Sequence, residues 1–305
     1  MGDRAFYRHY LLLAVPMILQ NAITNLVSFL DNIMVGQLGT EQMSGVAIVN
    51  QLIFVYNLAI FGAVSAASIF GAQYFGNGDH RGHMHSFRFK LYATLLVSGL
   101  TMLLLLTKGS NLISLYLTDT VGNGATDVAL QYGKQYLVIM LVGLVPFAVN
   151  QAYATNIKET GQTLVPMLAS FVAVGTNAVL DYLLIFGVGP FPELGVTGAA
   201  LATVIARYVE AVIVVLWAHR NREKNRYLEG AYRGFGIPVS ELKTILIKGL
   251  PLMFNEVLWA AGMTTVTQCY SVRGLDVVAG LNIATTITNL FNICLLYTSP
   301  SPRDS

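Results

Sequence analysis

Long apolar stretches dominate the chain and define its predicted elements. Eight stretches of about 20 residues or more fall roughly at 11–36, 45–70, 89–107, 134–155, 164–187, 196–218, 244–270 and 277–296. At 1.5 Å per residue, a helix of this length crosses a hydrocarbon core of about 30 Å. Glycine and proline interrupt several stretches, which membrane helices tolerate better than soluble helices do. We therefore predict an all-α polytopic membrane protein.

The composition agrees with this pattern. Hydrophobic residues make up 54% of the chain and charged residues 11%, against about 25% charged in ordinary soluble proteins. Its two cysteines, Cys269 and Cys294, lie in or near apolar stretches, so the sequence predicts neither a disulfide framework nor a metal cluster. The first stretch follows Arg4 and Arg8 but has no obvious cleavage site, so we interpret it as a retained helix and not a signal peptide.

Lysine and arginine are distributed unequally between the two ends of the stretches. If the N-terminus is cytoplasmic, thirteen of these residues fall on the inner side and three on the outer side. The outer three are Lys108, Lys134 and Arg273, whereas the inner residues concentrate around segment 219–243. Because basic residues are enriched on the cytoplasmic side, we predict a multi-pass protein of the cell inner (plasma) membrane with its N-terminus inside.

A weak internal repeat suggests two lobes. An ungapped shift of 235 residues places Pro16 on Pro251, Gly39 on Gly274, and Gly45 on Gly280. Six stretches lie between the copies, so both have the same orientation, as in a parallel repeat about an axis along the membrane normal. We predict a six-helix lobe over 1–218, a cytoplasmic linker over 219–243, and helices seven and eight of a second lobe over 244–294.

The last residues differ abruptly from the rest of the chain. Segment 295–305 is rich in serine and proline and resembles translated adapter sequence. We expect this tail to be non-native and the second lobe to be truncated; a genuine C-terminus is the alternative.

Several ionisable residues fall inside the apolar stretches, where each costs at least about 2.5 kcal/mol on insertion scales. Asp31 and Asp181 lie near the outer ends of stretches one and five, and Asn177 shares a helix face with Asp181. Thr203 lies at a similar depth in stretch six. If these helices converge, two mutually repelling carboxylates would bind a proton or a hard cation. The alternative is that both carboxylates reach the outer interface and are solvated.

Other polar residues in the stretches allow several interpretations. Arg207 and Glu210, three residues apart, are interpreted as a neutralised pair or as snorkelling side chains. Glu256, near mid-membrane, suggests a site for a cationic drug or coupling ion, or else an interhelical hydrogen bond. Pro16 and Pro251 occupy equivalent positions and predict helix bends or hinges.

Motifs of other protein classes are few or absent. The histidine-containing stretch 79–85 is interpreted as a solvated loop and not as a metal site. The sequence contains no glycine-rich phosphate loop, Gly-x-Ser-x-Gly elbow or His-Glu-x-x-His motif. We therefore expect no enzyme activity, and transport energy would come from an ion gradient or a partner.

The combination of motifs resembles the multidrug and toxic compound extrusion (MATE) family. The resemblance covers about residues 8–294 and is carried by the segment from Pro16 to Gly39, by Asn177-x-x-x-Asp181, by GVTGAALAT at 195–203, and by Pro251 with Glu256. It implies twelve helices in two six-helix lobes, with a cavity between them and alternating access. Helices nine to twelve are absent from this chain.

The family resemblance also implies roles for particular residues. It implies that Asp31, Asn177, Asp181 and Thr203 form a first-lobe cation or proton site, in which the first three would bind a metal only if Na⁺ is the coupling ion. It implies that the first helix bends at Pro16 and that Glu256 is the acidic residue of helix seven.

The implied activity is export of cationic amphipathic drugs or metabolites in exchange for H⁺ or Na⁺, without a cofactor. The expected partners are the lipid bilayer and small cationic organic substrates, without nucleic acid; the oligomeric state stays open. One alternative is a flippase for lipid-linked oligosaccharides or polysaccharides, and another is a non-transporting membrane receptor or scaffold. Membrane-embedded acids outnumber the single Arg207, which favours cationic cargo.

Overall fold

A computed structural model describes residues 19, 20 and 23, residues 30–117, 125–233 and 236–273, and isolated residues between 277 and 288. Three of the predicted features therefore lie outside the described residues: Pro16, the tail 295–305 and the side chain of Glu256. Regular secondary structure within the described ranges is helical throughout, which confirms the predicted fold class.

The helices follow the predicted apolar stretches closely. The structure contains α1 (residues 30–36), α2 (Thr40–Gly76), α3 (His80–Ser114), α4 (Ala125–Val142), α5 (Leu144–Glu159), α6 (Leu164–Phe186), α7 (Val196–Arg220), a 3-10 turn (Arg226–Leu228) and α8 (Val239–Ser271). By length and apolar composition α2, α3, α6 and α7 can each cross a membrane, and α4 with α5 forms a fifth, bent span. Helix α8, at 33 residues, is also long enough to cross a membrane.

Stretch 134–155 is not the single straight helix that its apolar pattern predicts. It is divided between α4 and α5, which meet at Gly143 with a bend of 44°. Pro146 has no backbone N–H and cannot donate to the carbonyl of Val142, so the helical bonding is interrupted there. The carbonyl of Gly143 accepts a hydrogen bond from the Phe147 backbone N–H at 3.4 Å and a second one from Arg207 Nη1 of α7, also at 3.4 Å.

Helix α2 lies at the centre of the bundle and contacts α3, α4, α5 and α8, while α6 packs mainly against α7. Its buried face carries large apolar side chains such as Ile48, Val49 and Ile60. Tyr56 on the same face is 2% exposed, and its hydroxyl donates to the Leu144 carbonyl at 2.8 Å. The central helix is thus held by apolar packing and by a satisfied polar group.

Equivalent helices of the two predicted lobes end at equivalent positions. Helix α1 ends at residue 36 and α8 at Ser271, and each is followed by a two-residue turn. These two ends are separated by the same 235 residues as Pro16 and Pro251. The lobe and linker boundaries themselves stay predictions.

Small residues allow close helix contacts, most clearly between α6 and α7. A Cβ atom on Gly198 of α7 would lie 2.6 Å from the Leu184 carbonyl oxygen of α6. By contrast, Gly175 of α6 is exposed, and a Cβ there would have no atom within 4 Å.

This difference predicts opposite effects for two chemically identical substitutions. Gly198→Ala should force α6 and α7 apart and destabilise the protein by about 1–3 kcal/mol. Gly175→Ala should be neutral or stabilising by up to about 1 kcal/mol, because alanine is the better helix former. Thermal unfolding of both variants in detergent measures the difference, and equal stabilities would contradict the close packing of α6 on α7.

Candidate functional site

Two acidic side chains come together at one end of the helical bundle. Asp31 lies on α1 and Asp181 on α6, two elements separated by most of the first lobe in sequence. Asp181 is 1% exposed, and the two carboxyl groups interact electrostatically with each other. Oδ1 of each is shielded from solvent and has no hydrogen-bond partner among the described residues. The two carboxyl groups of Asp31 and Asp181, with the side chains around them, are called the carboxylate chamber below.

Helix α6 supplies one wall of the carboxylate chamber through a buried stripe of small and polar residues. Ser170, Ala173, Asn177 and Asp181 recur at three- and four-residue intervals and are all buried. The opposite face of α6 exposes apolar side chains, as a lipid-facing surface requires: Leu168, Val172, Val179 and Tyr182. The sequence pattern of α6 is therefore inverted relative to a soluble amphipathic helix, with its polar side inward.

Tyr136 of α4 is a member of the chamber that sequence reasoning missed. It is 1% exposed and interacts electrostatically with both Asp31 and Asp181. Its hydroxyl donates to Asn50 Oδ1 of α2 at 3.2 Å. An isolated tyrosine in an apolar stretch gives no signal of this role, because its partners are distant along the chain.

The remaining predicted site residues have less complete structural support. Asn177 lies beside Asp181, although its Nδ2 makes no hydrogen bond within the described part of the chain. Thr203 is half-buried on α7, and its part in the chamber stays a prediction. Pro251 lies inside α8. Glu256 lies in the same helix, but its side chain falls outside the described residues.

Arg207 and Glu210 interact electrostatically, but no direct ion pair joins them within the described part of the chain. The Arg207 guanidinium donates to the Gly143 carbonyl and lies 5.1 Å from the centre of the Phe147 ring. Glu210 Oε1 accepts a hydrogen bond from Ser170 Oγ at 2.5 Å, and Ser170 Oγ accepts one from Gln20 Nε2 at 2.6 Å. Each side chain finds a partner on another helix, which sequence spacing does not reveal.

A second polar cluster lies at the opposite, basic end of the bundle. Lys90 Nζ, which is fully buried, donates to Glu159 Oε1 and to Asn156 Oδ1. The other oxygen of Glu159, Oε2, lies 3.3 Å from His83 Nε2. Helices α3 and α5 are therefore joined by a buried ion pair, which is called the basal cluster below and comprises His83, Lys90, Asn156 and Glu159.

The basal cluster corrects the interpretation of 79–85 as a solvated loop. Asp79 instead caps α3, with Oδ1 accepting from the backbone N–H groups of Arg81 and Gly82 at 3.1 and 3.0 Å. His83 is 2% exposed, and His85 Nδ1 lies 2.8 Å from Glu241 Oε2 of α8. The polar residues looked like a loop because their partners lie on distant helices. Among the residues that the structure describes, no group of three or more His, Cys, Asp or Glu side chains could hold a metal.

Comparison with known proteins identifies related sequences. Residues 16–183 match the model of the MatE family. The probable multidrug resistance protein NorM of Thermotoga maritima is 26% identical over 91% of this chain and 58% of its own length. The probable NorM of Rhizobium meliloti is 30% identical over 72% of this chain and 46% of its own length. The chain thus spans about half the length of the curated relatives that it matches.

Solved structures show the same fold. An inward-facing multidrug resistance MATE family transporter of the MOP superfamily superimposes with a TM-score of 0.73 at 24% identity, over 92% of this chain and 61% of that protein. A MOP superfamily transporter from Pyrococcus furiosus, whose binding pocket is described as reversed in polarity, gives 0.71 at 21% identity, over 94% and 64%.

The basal cluster predicts a large cost for removing one of its charges. Glu159→Gln leaves the Lys90 ammonium buried without a counter-charge and should destabilise the protein by about 3–5 kcal/mol. The double variant Lys90→Met, Glu159→Gln should lose less stability than the sum of its single changes. The half-exposed Glu241→Gln is the control, with an expected cost below about 1 kcal/mol. Unfolding in detergent gives all four values, and equal losses for Glu159→Gln and Glu241→Gln would show that the buried pair is not maintained.

Proposed function

We propose that this chain, which belongs to the MatE family, acts in secondary active antiport: it exports cationic, amphipathic organic molecules in exchange for H⁺ or Na⁺ by alternating access. The observation that carries the proposal is the carboxylate chamber, where Asp31 and Asp181 interact electrostatically and each has a buried Oδ1 without a hydrogen-bond partner among the described residues. The names of the NorM relatives, as probable multidrug resistance proteins, support the choice of cargo.

The chamber supplies a physical basis for coupling. Two carboxylates at close range in a low-dielectric site repel each other, and a proton or Na⁺ relieves that repulsion. Na⁺ is a hard cation that prefers oxygen ligands, which Asp31, Asp181 and the Asn177 amide can offer. Because Asp31 is on α1, occupancy of the chamber would change how the first helix packs. The bend expected at Pro16 is the place where this change would be absorbed.

Export follows if cation and cargo favour different conformations. A ligand shifts a conformational equilibrium only through its different affinities for the two states. We propose that cargo binds when the chamber is empty, and that proton or Na⁺ binding favours the state that releases cargo outward. Each ligand then lowers the affinity for the other, as reciprocal coupling requires.

Cargo is proposed to bind beside α2 and α8. Phe54 of α2 and Trp259 of α8 have ring centroids 6.2 Å apart, and Gln51 Nε2 donates to Thr264 Oγ1 at 3.4 Å across the same contact. Trp259 is 54% exposed and lies three residues after Glu256. The aromatic faces of Phe54 and Trp259 would attract flat organic cations through cation–π interactions.

The second candidate transport function is that of a flippase for lipid-linked saccharides. Because its cargo carries phosphate, a flippase would require unpaired cationic side chains near the binding cavity. Arg207 is the base that interacts electrostatically with Tyr136 of the chamber, but it is already engaged by the Gly143 carbonyl and the Phe147 ring. This arrangement favours cationic cargo. The NorM relatives are named as probable multidrug resistance proteins, and we propose neither enzymatic activity nor a cofactor for this chain.

Neutralising the chamber should abolish cation binding. If Na⁺ is the coupling ion, Asp31→Asn or Asp181→Asn should weaken Na⁺ binding by at least about tenfold, since each removes a charge from a desolvated site. If H⁺ is the coupling ion, either change should reduce the proton release that substrate induces by the same factor. Asp127→Asn, at an exposed position of α4, is the matched control and should leave both unchanged. Radioactive Na⁺ binding and pH-indicator measurements on the purified chain test this directly.

A chimera in which residues 1–294 are joined to the remaining helices of a NorM relative allows Asp31→Asn and Asp181→Asn to be tested for their effect on transport. Cells expressing this chimera should exclude ethidium, and Asp31→Asn should abolish exclusion without lowering expression. Unaltered export by both chamber variants would defeat the proposed mechanism.

The proposed orientation predicts which side of the membrane each loop faces. In a chain with Cys269 and Cys294 replaced by serine, Lys108→Cys should react with an impermeant maleimide in intact cells. Lys224→Cys, at the opposite end of the bundle, should react only after permeabilisation. Both positions are exposed, so accessibility within the protein does not bias the comparison, and the reverse labelling pattern would mean that the topology is inverted.

A further inference from the structure

A polar cavity of about 310 Å³ lies where α7 meets the segment that leads to α8. Its wall includes His219 and Arg222 from the end of α7, and Glu229, Tyr232 and Arg233 from the following turns. The cavity is separate from the carboxylate chamber and from the basal cluster, and neither coupling nor cargo binding uses it.

The loop that forms this cavity is held firmly by Arg88 of α3. Its guanidinium donates three hydrogen bonds to loop carbonyls: Nη2 to Gly230 at 2.6 Å, Nε to Ala231 at 2.8 Å and Nη1 to Gly236 at 2.8 Å. Asn225, which is fully buried, donates from Nδ2 to the carbonyl of Asn221 at the end of α7, at 3.0 Å. Hydrogen bonds within the protein thus hold the backbone around the cavity in place.

The charges of the cavity are left available to a ligand. Within the described ranges, neither Arg222 nor Arg233 forms an ion pair or a side-chain hydrogen bond, and both are exposed. Glu229 is the one acid that lines the cavity, so the two arginines leave it with a net positive charge. Guanidinium groups without protein acceptors present donors in the planar arrangement that binds phosphate oxygens.

The position of the cavity favours a lipid as the source of that phosphate. Val212 and Leu216 on the outer face of α7 are 51% and 64% exposed and apolar, and they lead directly to the end of the helix where the cavity begins. Tyr232 is 55% exposed and stacks on His219 with centroids 5.9 Å apart, as amphipathic rings do at headgroup level. Acyl chains along α7 would therefore place their headgroup at Arg222.

We propose that this cavity binds the phosphate group of an anionic phospholipid from the leaflet at the basic end of α7. Arg222 and Arg233 bind the phosphate oxygens, and Val212 and Leu216 contact the acyl chains. Basic pockets at this membrane level are the places where anionic headgroups are recognised. The site requires a membrane-embedded chain but is independent of the proposed antiport.

Native mass spectrometry of the purified full chain, titrated with phosphatidylglycerol or phosphatidylcholine, tests the site. Phosphatidylglycerol should bind more tightly. Arg222→Gln with Arg233→Gln should weaken its binding by about tenfold or more, because the change removes the charge-assisted hydrogen bonds that both guanidinium groups are proposed to make to the phosphate. The control Arg220→Gln with Lys224→Gln removes the same charge outside this cavity and should change binding by less than about twofold.

The conservative pair Arg222→Lys with Arg233→Lys keeps the charge but loses the planar donors, so it should bind phosphatidylglycerol with intermediate affinity. It also provides a folded comparison if the glutamine pair is unstable by circular dichroism. If the glutamine pair and its control lose the same affinity for phosphatidylglycerol, the effect is one of general surface charge, and the proposal is overturned.

Two further outcomes would also overturn the proposal. One is equal binding of the two phospholipids. The other is displacement of phosphatidylglycerol by millimolar inorganic phosphate with the same dependence on Arg222 and Arg233, which would identify a soluble anion as the ligand. Retained lipid binding in Asp31→Asn is expected in every case, which separates this site from the antiport mechanism.

Discussion

The structure depends on one constraint: a charged or hydrogen-bonding group inside a bilayer must find its partner within the protein. Lys90 meets this constraint through Glu159 and Asn156, and Arg207 through the Gly143 carbonyl and the Phe147 ring. Asp31 and Asp181 are different, because their close neighbours include each other. A buried carboxyl oxygen without a hydrogen-bond partner among the described residues, such as Oδ1 of each, is where an exchangeable ion can bind.

The same constraint explains how the helices are arranged. Helices α4 and α5 bend at Gly143, and the Gly143 carbonyl accepts a hydrogen bond from Arg207 in addition to the one from the Phe147 backbone N–H. Ser170 joins Glu210 of α7 to Gln20 of the first helix, on the α6 stripe that also carries Asp181. One face of α6 therefore connects the carboxylate chamber with a second polar contact deeper in the lobe, while small residues such as Gly198 keep α6 and α7 in close contact.

Polar residues near the basic end illustrate why sequence reasoning failed in places. His83, Arg88 and Lys90 look like the residues of a cytoplasmic loop, yet each is buried. Their partners are Glu159 and the carbonyls around Gly230, which are about 70 to 140 residues away along the chain. The residues near a charged side chain in the sequence show that burying it would be unfavourable. They do not show the distant group whose interaction offsets this unfavourable free energy.

The sequence by itself determined the all-α fold with membrane-spanning helices, because hydrophobic length is a local property. It also singled out Asp31 and Asp181 as candidate site residues, because a charge inside an apolar stretch is rare. The tertiary structure alone decided the bend at Gly143, the partners of Arg207 and Glu210, the place of Tyr136 beside Asp31 and Asp181, and the ordered loop held by Arg88. Each of these depends on which helix faces which, and helix packing depends on side-chain shape across the whole bundle.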